Sequence, residues 1–340
     1  MRIGIMGIKG YAGEKLLRIL IRHPDVQVSA LSSRVGEKTP ISDIFPWAKG
    51  ILDDLSCEDY TAERISEVAD IVFLALPHRA SMDIAYKILK LEKKVIDLSA
   101  DFRLKNISKY EKYYEKHKYP ELLKKAVYGL PEIYRKQISK ADLVANPGCY
   151  PTSIILALAP IAGGEFLDKN KCIIIDSKSG VTGAGKNLKE ELLFAQANEN
   201  IKAYSVNSHQ HTPEIEQELS YLAGSDISIV FVPHLVPMNR GILSTVYVPL
   251  KKDVDEFTLK SSYRDFYRGE PFVRIRSAPD YPETSDVFDT NFCDICVAFD
   301  KSKNLAIVIS VIDNLLKGAS GQAVQNMNIM LGCNEKEGLL

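Results

Sequence analysis

Residues 2–13, Arg2-Ile3-Gly4-Ile5-Met6-Gly7-Ile8-Lys9-Gly10-Tyr11-Ala12-Gly13, decide how the first half of the chain folds. Residues 2–6 form a short apolar run that predicts a strand, and residues 14–20 predict a helix. A strand, a glycine loop and a helix in this order are typical of a dinucleotide site, with the pyrophosphate at the helix N-terminus. The spacing here, Gly-x-x-Gly-x-x-Gly, is looser than the usual fingerprint, and similar turns also occur where no ligand binds.

The residues after the second predicted strand indicate which dinucleotide binds. Residues 26–31 predict that strand, and Ser32, Ser33 and Arg34 follow it. An acidic residue at this place would hydrogen-bond the ribose 2′-hydroxyl of NAD, and none is present. Two hydroxyls and a guanidinium suit the 2′-phosphate of NADP instead, because Arg binds phosphate bidentately. The sequence therefore predicts NADP, and the alternative is a solvated turn after an edge strand.

Apolar runs at 71–76 and 94–98 continue an alternation of strands and helices to about residue 148, as in a buried parallel sheet. Pro77 and His78 follow the first run, and residues 99–103 follow the second. Because the carboxyl-end loops of such a sheet face the ligand crevice, we expect cofactor and substrate contacts there.

From residue 151 to 313 the pattern changes to longer strands, at 172–176, 227–232 and 241–248, which indicate a mixed or antiparallel sheet. A small-residue helix is expected over 318–330. We therefore predict an α/β fold with two domains. Residues 1–148 form a Rossmann-type dinucleotide-binding domain completed by the C-terminal helix 314–340, and residues 149–313 form an α+β catalytic and oligomerisation domain with a mixed sheet.

The composition is that of a globular metabolic enzyme. The chain has 340 residues, 46% of them hydrophobic and 26% charged, with a formal net charge of −1. This charge balance does not predict the positively charged surface that binds nucleic acid or an anionic membrane. No apolar run is long enough to span a bilayer. Six irregularly spaced cysteines fit reduced thiols, so we expect a cytoplasmic protein without disulfides.

A lone thiol, Cys149, lies in the stretch Ala-Asn-Pro-Gly-Cys-Tyr-Pro-Thr, residues 145–152. Residues 142–145 predict a strand and residues 153–158 an apolar helix, so we expect the thiol at a helix N-terminus. The helix dipole and backbone N–H groups there stabilise a thiolate, and they also hold the oxyanion that forms when sulfur attacks a carbonyl. The alternative is a buried structural cysteine, the commoner fate of a free thiol.

His209 and His211 are the expected proton partners of that thiol. In extended backbone, residues i and i+2 point to the same side, and we expect Thr212 and Pro213 to cap and begin the following helix. One ring would stabilise the thiolate and the other would exchange a proton with the reacting oxygen. The pair would also suit a metal, but no third ligand stands at metal spacing, so we predict no metal site. His234 is the alternative partner.

The remaining histidines and cysteines carry weaker signals. His23 closes the first helix and His117 lies in a stretch rich in Lys, Glu and Tyr, so we expect both at the surface. Cys293 and Cys296 form a single C-x-x-C inside a predicted strand. Their thiols then point to opposite faces and no second such motif completes a zinc site, so we expect both to be structural.

Several longer motifs give the chain a clear resemblance to the N-acetyl-γ-glutamyl-phosphate reductase family, NADP-dependent enzymes of arginine biosynthesis related to aspartate-semialdehyde dehydrogenases. The resemblance runs from the glycine loop to the C-terminal helix. Besides the glycine loop and the Cys149 motif, it is carried by Ala-Leu-Pro-His (75–78), Asp-Leu-Ser-Ala-Asp-Phe-Arg (97–103), Lys-Ser-Gly-Val-Thr-Gly-Ala-Gly (178–185), and residues 209–215, 233–242 and 313–328.

The resemblance implies that Cys149 is the nucleophile, with His209 and His211 as its polar partners. The expected cofactor contacts are Gly7, Lys9, Gly10, Tyr11, Ala12, Gly13, Ser32, Ser33, Arg34, Pro77, Ser179, Gly180, Gly183, Asn314 and Gly318. The expected substrate contacts, which supply cations or N–H groups to a carboxylate and a phosphate, are Arg103, Asn146, Lys178 and Arg240. The implied assembly is a homodimer or homotetramer.

The chain departs from the family pattern at two places near these sites. Ile8 and Lys9 stand where the glycine loop usually carries Ala and then a small hydroxyl residue. Lys9 either adds a phosphate contact or projects into solvent. Gln210 replaces the usual Arg between the two histidines, which removes an anion contact.

We therefore predict NADPH-dependent reductive dephosphorylation of N-acetyl-L-glutamyl 5-phosphate to N-acetyl-L-glutamate 5-semialdehyde, through a thioester on Cys149. The substrate is a small acyl phosphate, with no nucleic acid or membrane partner. One alternative is a relative that reduces aspartyl phosphate or a carrier-protein-linked amino-acid phosphate. Another is a non-catalytic NADP-binding redox sensor, which would have no need of Cys149, His209 and His211 together.

Overall fold

A computed structural model describes residues 1–164 and 166–340. Its strands are β1 (Arg2–Met6), β2 (Gln27–Ser32), β3 (Thr39–Pro40), β4 (Ser56–Glu58), β5 (Ile71–Leu74), β6 (Lys94–Asp97), β7 (Val127–Tyr128), β8 (Leu143–Ala145), β9 (Ile173–Ser179), β10 (Lys202–Ala203), β11 (Ile229–Leu235), β12 (Ile242–Pro249), β13 (Val273–Arg276), β14 (Cys293–Asp300) and β15 (Leu305–Ile312). Its α-helices are α1 (Tyr11–Leu20), α2 (Ile41–Ile44), α3 (Ala62–Val68), α4 (Ser81–Lys90), α5 (Ile107–Tyr113), α6 (Pro120–Lys125), α7 (Pro131–Ile138), α8 (Cys149–Gly163), α9 (Phe194–Ala197), α10 (Thr212–Ala223), α11 (Glu256–Phe266) and α12 (Gly321–Leu331).

The chain divides into two compact units. Unit 1 comprises Met1–Pro147 and Ala319–Leu340, and unit 2 comprises Gly148–Gly318. The division expected from the sequence put these boundaries after residues 148 and 313.

Unit 1 is built on an eight-stranded sheet with the order β3-β4-β2-β1-β5-β6-β8-β7. Its neighbouring strands are parallel except for the antiparallel pair β3 and β4. Strand β5 is buried at every position, as expected when helices cover both faces of a parallel sheet. Helix α12 belongs to this unit and packs against α1 and α7. The predicted Rossmann-type architecture is confirmed.

The turn between β1 and α1 needs two of its three glycines on steric grounds. Gly7 has a φ of +91°, and a Cβ there would lie 2.2 Å from the carbonyl oxygen of Ala75. A Cβ at Gly13 would lie 2.3 Å from the carbonyl oxygen of Gly7. Gly10 is the N-cap residue of α1, where a Cβ would meet only ordinary van der Waals contact, 3.5 Å from Gly7. Glycine at 7 and 13 therefore lets the loop fold tightly against β5 and the helix start.

Unit 2 contains a seven-stranded sheet with the order β10-β11-β9-β12-β15-β14-β13. The pairs β9–β11 and β13–β14 are parallel and the other pairs are antiparallel. The predicted mixed sheet is therefore confirmed. Helix α8 packs on one face of it, against β12, β14 and β15. Strands β9 and β12 alternate between buried and more exposed residues, because their other face is not covered in the same way.

A row of buried hydroxyl groups joins α8 to this sheet. Ser153 Oγ of α8 lies within hydrogen-bond distance of Ser244 Oγ (3.0 Å) and Ser310 Oγ (3.1 Å), and Ser177 Oγ lies within that distance of Ser244 Oγ (2.8 Å). The thiol of Cys293 lies 3.4 Å from Ser310 Oγ. Because buried polar groups are costly unless they are hydrogen-bonded, this row favours one register of the helix on the strands.

The structure corrects two sequence-based expectations about histidines. His23 is buried and its Nε2 lies 2.9 Å from Asn328 Oδ1, because α12 packs over the end of α1. His117 is buried and its Nε2 lies 2.8 Å from the carbonyl oxygen of Asp101. Neither is a surface residue, because each imidazole finds a polar partner from a distant part of the sequence. Among the residues described, no helix combines the length and the apolar character needed to cross a membrane.

Candidate active site

Cys149 is the first residue of α8, as the sequence predicts, and its thiol is partly exposed. Gly148 is the N-cap residue, with an extended backbone. The Gly148 N–H donates to Glu214 Oε1 at 2.9 Å, and Glu214 is buried. Sequence reasoning missed Glu214. The spacing His-x-x-Glu at 211 and 214 was the available signal, because residues i and i+3 share one side of a helical turn.

Gly318 lies directly against Cys149. A Cβ at Gly318 would lie 2.8 Å from Cys149 Cβ, well inside van der Waals contact. The turn that carries Gly318 is held by Asp313, whose carbonyl oxygen accepts from Gly318 N (3.0 Å) and whose Oδ1 accepts from Leu315 N (2.8 Å). The sequence predicted Gly318 as a cofactor contact, and that remains a prediction. Its observed contact is with Cys149.

His209 and His211 lie together, but not in the way that the sequence predicted. Their ring centroids are 4.8 Å apart, and both residues are buried. The backbone is a turn rather than extended: His211 is the N-cap residue of α10, with φ −81° and ψ −15°, and Thr212 is already helical. The turn forms because the His211 N–H donates to His209 Nδ1 at 3.1 Å. The expected Thr212 cap is therefore wrong.

Burial lowers the pKa of His209 to about 4, so the ring is neutral at neutral pH. Its Nδ1 accepts a hydrogen bond from main chain. The proton of the neutral ring is therefore on Nε2. His209 then has an N–H donor at Nε2 and carries no net charge with which to stabilise a thiolate.

Two tyrosines complete the polar surroundings of the cysteine, and the sequence did not single them out. The Tyr150 ring lies 5.6 Å from the His209 ring and 6.1 Å from the His211 ring. Tyr204 OH donates to Tyr150 OH at 3.1 Å, and Tyr150 OH lies 3.4 Å from the carbonyl oxygen of His234. Burial raises the pKa of Tyr204 to about 12. Both phenols therefore stay protonated and serve as hydrogen-bond groups.

Lys178 and His234 lie on the face of the sheet opposite α8. Ser177 reaches α8 through Ser244, so its neighbour Lys178 points the other way, and His234 pairs with Lys178 in register. Asp176, on the same face, lies 2.9 Å from Lys178 Nζ and 3.0 Å from His234 Nδ1. This geometry does not fit His234 as a partner of Cys149 or Lys178 as a contact beside the thiol. Because side chains alternate between the two faces along β9 and β11, Lys178 and His234 point away from the face that α8 covers.

Arg240 lies in unit 2 with its charge already compensated. Its Nη2 is 2.6 Å from Asp313 Oδ2 and 3.2 Å from Asp289 Oδ1, and Asp313 is fully buried. Its guanidinium also lies over the Phe288 ring, 5.0 Å from the centroid. Its predicted contact with substrate remains a prediction, and any anion bound there would compete with these carboxylates.

The other predicted residues of unit 2 form one loop system. Gly180 N donates to the carbonyl oxygen of Gly241 (3.0 Å), and a Cβ at Gly180 would lie 2.7 Å from Arg240 N. Asn314 joins both sides, because its Oδ1 accepts from Gly241 N (2.7 Å) and its Nδ2 donates to Thr182 Oγ1 (3.0 Å). Ser179 and Gly183 flank this system, with Gly183 next to Ser179 Oγ. These contacts order the loop, and the predicted cofactor contacts of its residues remain predictions.

In unit 1, Arg103 and Asn146 hold main chain at the carboxyl edge of the sheet. Arg103 Nε donates to the carbonyl oxygen of Asn146 (2.7 Å) and its Nη2 donates to that of Leu98 (2.8 Å). Asn146 Nδ2 donates to the carbonyl oxygen of Ala319 (3.1 Å), and its Oδ1 accepts from Asn326 Nδ2 (3.0 Å). Both side chains are buried. These bonds fix the segment that leads from β8 to Cys149.

A buried pair of carboxylates, which sequence reasoning missed, ties together the loops after β5 and β6. Asp101 Oδ1 accepts from Arg79 N (2.8 Å) and Tyr110 OH (3.0 Å), and Ser99 Oγ donates to Asp97 Oδ2 (2.6 Å). Burial and the nearby Asp101 raise the pKa of Asp97 above its ordinary value. The predicted contact Pro77 lies in the first of these loops.

The glycine loop of unit 1 fits a dinucleotide. Glycine at Gly7 and Gly13 closes the turn, and glycine at Gly10 caps α1 without a side chain, which leaves room for phosphate at the helix N-terminus. Gly7 N (2.8 Å) and Ile8 N (3.2 Å) both donate to the carbonyl oxygen of Ser32. The loop after β2, with Ser33 and Arg34, therefore lies beside the glycine loop, as NADP binding requires. Across residues 1–164 and 166–340, no cluster of His, Cys, Asp and Glu is arranged to hold a metal ion.

Comparison with known families gives the class of protein. Residues 2–141 match the semialdehyde dehydrogenase NAD binding domain, and residues 149–314 match the semialdehyde dehydrogenase dimerisation domain. The fold agrees: aspartate semialdehyde dehydrogenase II from Vibrio cholerae superposes with a TM-score of 0.73 at 17% identity, covering 97% of this chain and 98% of that one. The enzyme from Candida albicans, solved with NADP, gives a TM-score of 0.71 at 13% identity and covers 97% and 98%. The fold and the two matched domains thus define an oxidoreductase of the semialdehyde dehydrogenase class.

Closer relatives narrow this class. The chain is 49% identical over 340 residues to N-acetyl-gamma-glutamyl-phosphate reductase of Geotalea daltonii, and 51% identical to that of Pelobacter propionicus, covering 100% of this chain and 98% of each relative. The chain therefore belongs to the N-acetyl-γ-glutamyl-phosphate reductase family. The resemblance stated from its motifs is confirmed.

Replacing Gly318 with Ala tests its contact with Cys149. Because the new Cβ would lie 2.8 Å from Cys149 Cβ, the thiol must shift, and we expect kcat/KM to fall roughly tenfold or more. The matched control is Gly163→Ala, in the same unit, where a Cβ meets nothing within 4 Å. Wild-type activity in Gly318→Ala would show that this contact does not position the nucleophile.

The lowered pKa of His209 predicts a loss of stability in acid. Its folded value of about 4 lies below its ordinary value of 6.5, so the unfolded chain takes up the proton first as the pH falls. Stability is therefore lost between about pH 6.5 and pH 4, by about 1.4 kcal/mol per pH unit from this one group. Between pH 6.5 and 4.5 the free energy of unfolding should therefore fall by about 2–3 kcal/mol more in wild type than in His209→Asn, which lacks the titrating imidazole. Urea unfolding at both pH values measures this, and equal losses in both proteins would contradict it.

Proposed function

We propose that the chain reduces N-acetyl-L-glutamyl 5-phosphate to N-acetyl-L-glutamate 5-semialdehyde, with NADPH as the hydride donor and release of inorganic phosphate. The observation that carries this proposal is Cys149 as the first residue of α8, next to Tyr150, whose ring contacts both His209 and His211. Full-length identity to reductases named for this substrate supports the choice of acyl phosphate.

The first half of the reaction is acyl transfer to sulfur. The Cys149 thiolate attacks the carbonyl carbon, the C–S bond forms, the C–O bond to phosphate breaks, and phosphate leaves. The N-terminus of α8 supplies the positive end of the helix dipole to the sulfur and to the oxyanion of the tetrahedral intermediate. The bond from Gly148 N–H to Glu214 keeps the start of the helix in place during this step.

The second half reduces the thioester. NADPH, when bound, supplies the hydride that adds to the thioester carbonyl carbon. His209 donates its Nε2–H to the oxygen that gains charge, because its Nδ1 is held by His211 N. The resulting tetrahedral oxyanion then re-forms its carbonyl, the C–S bond breaks, and the aldehyde leaves with Cys149 returned to thiolate. His211 is the proposed proton carrier, which protonates this oxygen after hydride addition and takes the same proton back as the C–S bond breaks.

We assign the remaining contacts unit by unit. In unit 1, the glycine loop (Gly7, Lys9, Gly10, Tyr11, Ala12, Gly13), the β2 loop (Ser32, Ser33, Arg34) and Pro77 bind NADP. In unit 2, the cofactor contacts of Ser179, Gly180, Gly183, Asn314 and Gly318 stay predictions, and Arg240 is the proposed cation for substrate. Arg103 and Asn146 hold main chain in unit 1, and the substrate contacts predicted for them stay predictions. We do not assign Lys178 to the contacts beside the thiol, because its side chain lies on the face of the unit 2 sheet opposite α8.

The chain also forms a homodimer or homotetramer, and we assign the uncovered face of the unit 2 sheet to this contact. An apolar row crosses five neighbouring strands on that face: Val230, Ile174, Tyr247, Ile307 and Ala298 are in register. Val230, Ile174 and Tyr247 are 38%, 47% and 36% exposed. A second copy of the chain is the proposed partner, since the match to a dimerisation domain spans all five strands.

Ile174→Glu tests this interface. A carboxylate placed in the centre of the apolar row would be desolvated on association, so we expect the variant to sediment as a monomer while wild type sediments as an oligomer. The matched control is Phe257→Glu, which changes a 78% exposed apolar residue on α11 and should leave the oligomer intact. A monomeric wild type, or an unchanged oligomer in Ile174→Glu, would rule out this face.

The reverse reaction tests the proposed activity. Purified protein mixed with N-acetylglutamate semialdehyde, NADP and phosphate should form NADPH, and the rate should depend on phosphate and fall with NAD or with aspartate semialdehyde. Cys149→Ser should abolish turnover and leave NADPH binding intact, because the thioester cannot form. Cys172→Ser removes an exposed thiol and should keep full activity. Activity retained in Cys149→Ser would remove this residue from the mechanism, and better turnover of aspartate semialdehyde would change the substrate.

A further inference from the structure

Lys9 crosses from the glycine loop to the loop that follows β2. Its Nζ donates to the carbonyl oxygen of Arg34 at 3.2 Å. The neighbouring residue, Ile8, is fully buried and packs into unit 1, whereas Lys9 is exposed. The two residues at which the glycine loop departs from the family pattern therefore lie in different places: Ile8 is part of the core, and Lys9 reaches the end of β2.

This contact brings the Lys9 ammonium to the loop after β2, which also carries Arg34. Across residues 1–164 and 166–340, the guanidinium of Arg34 has no hydrogen-bond or ion-pair partner. Two acidic residues at the end of the neighbouring strand β4 are engaged elsewhere: Glu58 is paired with Lys38 (3.1 Å) and Arg64 (3.2 Å), and Asp59 Oδ1 accepts from Val35 N (3.2 Å). The side chains of Lys9 and Arg34 therefore leave a local excess of positive charge beside Ser32 and Ser33, where an anion is favoured.

The ammonium lies away from the place where the pyrophosphate is expected. The N-terminus of α1 receives the pyrophosphate in this fold, while the residues after β2 receive the adenosine ribose. The bond to Arg34 puts Lys9 Nζ at the second of these places. Lys9 is also close enough to Cys57, which pairs with Leu31 of β2, to oppose the rise in the pKa of that buried thiol. Both observations put the charge at the β2 end.

We propose that Lys9, together with Arg34, binds the 2′-phosphate of the adenosine ribose, and that Lys9 thereby sets the preference of this chain for NADP over NAD. The proposal rests on the proposed binding of NADP to unit 1, and it is independent of the reaction at Cys149. The phosphate is a dianion that NAD lacks, so the ammonium adds affinity for NADP alone. Held by a carbonyl oxygen before ligand binds, Nζ needs little further ordering to meet the phosphate.

Titration calorimetry of the full-length protein with NADPH, NADH, adenosine 2′,5′-bisphosphate and 5′-AMP tests the proposal. In Lys9→Gln we expect the Kd values of the two 2′-phosphorylated ligands to rise about tenfold or more. Those of NADH and 5′-AMP should change by less than about twofold, because neither has a group that meets Lys9. The matched control is Lys93→Gln, which removes the same charge at the amino end of β6, where Lys93 pairs with Asp70. All four Kd values should stay at their wild-type level there.

Each other result overturns the proposal. Equal weakening of NADPH and NADH in Lys9→Gln would place the ammonium on the pyrophosphate, and no change with any ligand would leave it in solvent. Unchanged affinity for NADH and 5′-AMP shows that the variant is folded, so a selective loss is not the result of unfolding. Since the readout is binding alone, a protein that binds NADP but fails the reverse-reaction assay would refute the proposed function and leave this inference standing.

Discussion

The hydrogen bond from Gly148 N–H to the buried Glu214 carboxylate is the constraint on which the candidate site depends. Because a buried carboxylate is stable only when it accepts hydrogen bonds, this bond favours the observed position of the turn before α8. Glu214 lies in the first turn of α10, and His211 is the N-cap residue of the same helix. One short segment therefore supplies both imidazoles and the group that holds the nucleophile turn, and the contact between α8 and α10 fixes these parts relative to one another.

The second constraint is the match between α8 and the sheet below it. This helix is apolar on nearly every side, so hydrophobic burial alone would tolerate small rotations or shifts along its axis. The hydroxyl of Ser153, one turn after Cys149, removes this freedom because it must meet Ser244 and Ser310 on two neighbouring strands. Gly318 then sets the distance of closest approach on the side of Cys149 itself. Nonspecific burial gives stability here, while the few polar and steric contacts give position.

Sequence reasoning succeeded where local pattern determines the outcome. The glycine loop, the parallel strands of unit 1, the mixed sheet of unit 2 and the start of α8 at Cys149 all follow from periodicity, glycine and proline. It failed where a residue's role depends on which strand faces which. Lys178 and His234 look like site residues until strand alternation puts them on the other face, and Glu214 looks like a surface helix residue until its partner, 66 positions away, is known. His23 and His117 were misplaced for the same reason, because each is buried by a partner distant in sequence.

The electrostatics of the site follow from the neutrality of His209. A buried imidazole whose Nδ1 accepts from main chain carries no positive charge at neutral pH, so it cannot form an ion pair with a thiolate. The protonated phenols of Tyr150 and Tyr204 are neutral too, and Arg240 is already matched by Asp313 and Asp289. These four side chains therefore bring no net charge to sulfur or oxyanion, and the stabilisation available beside them is that of oriented dipoles: the N-terminus of α8 and N–H or O–H donors held in place before the substrate arrives. Such groups need no reorganisation as charge moves from sulfur to oxygen and back, and a two-step thioester reaction requires that reversal in every turnover.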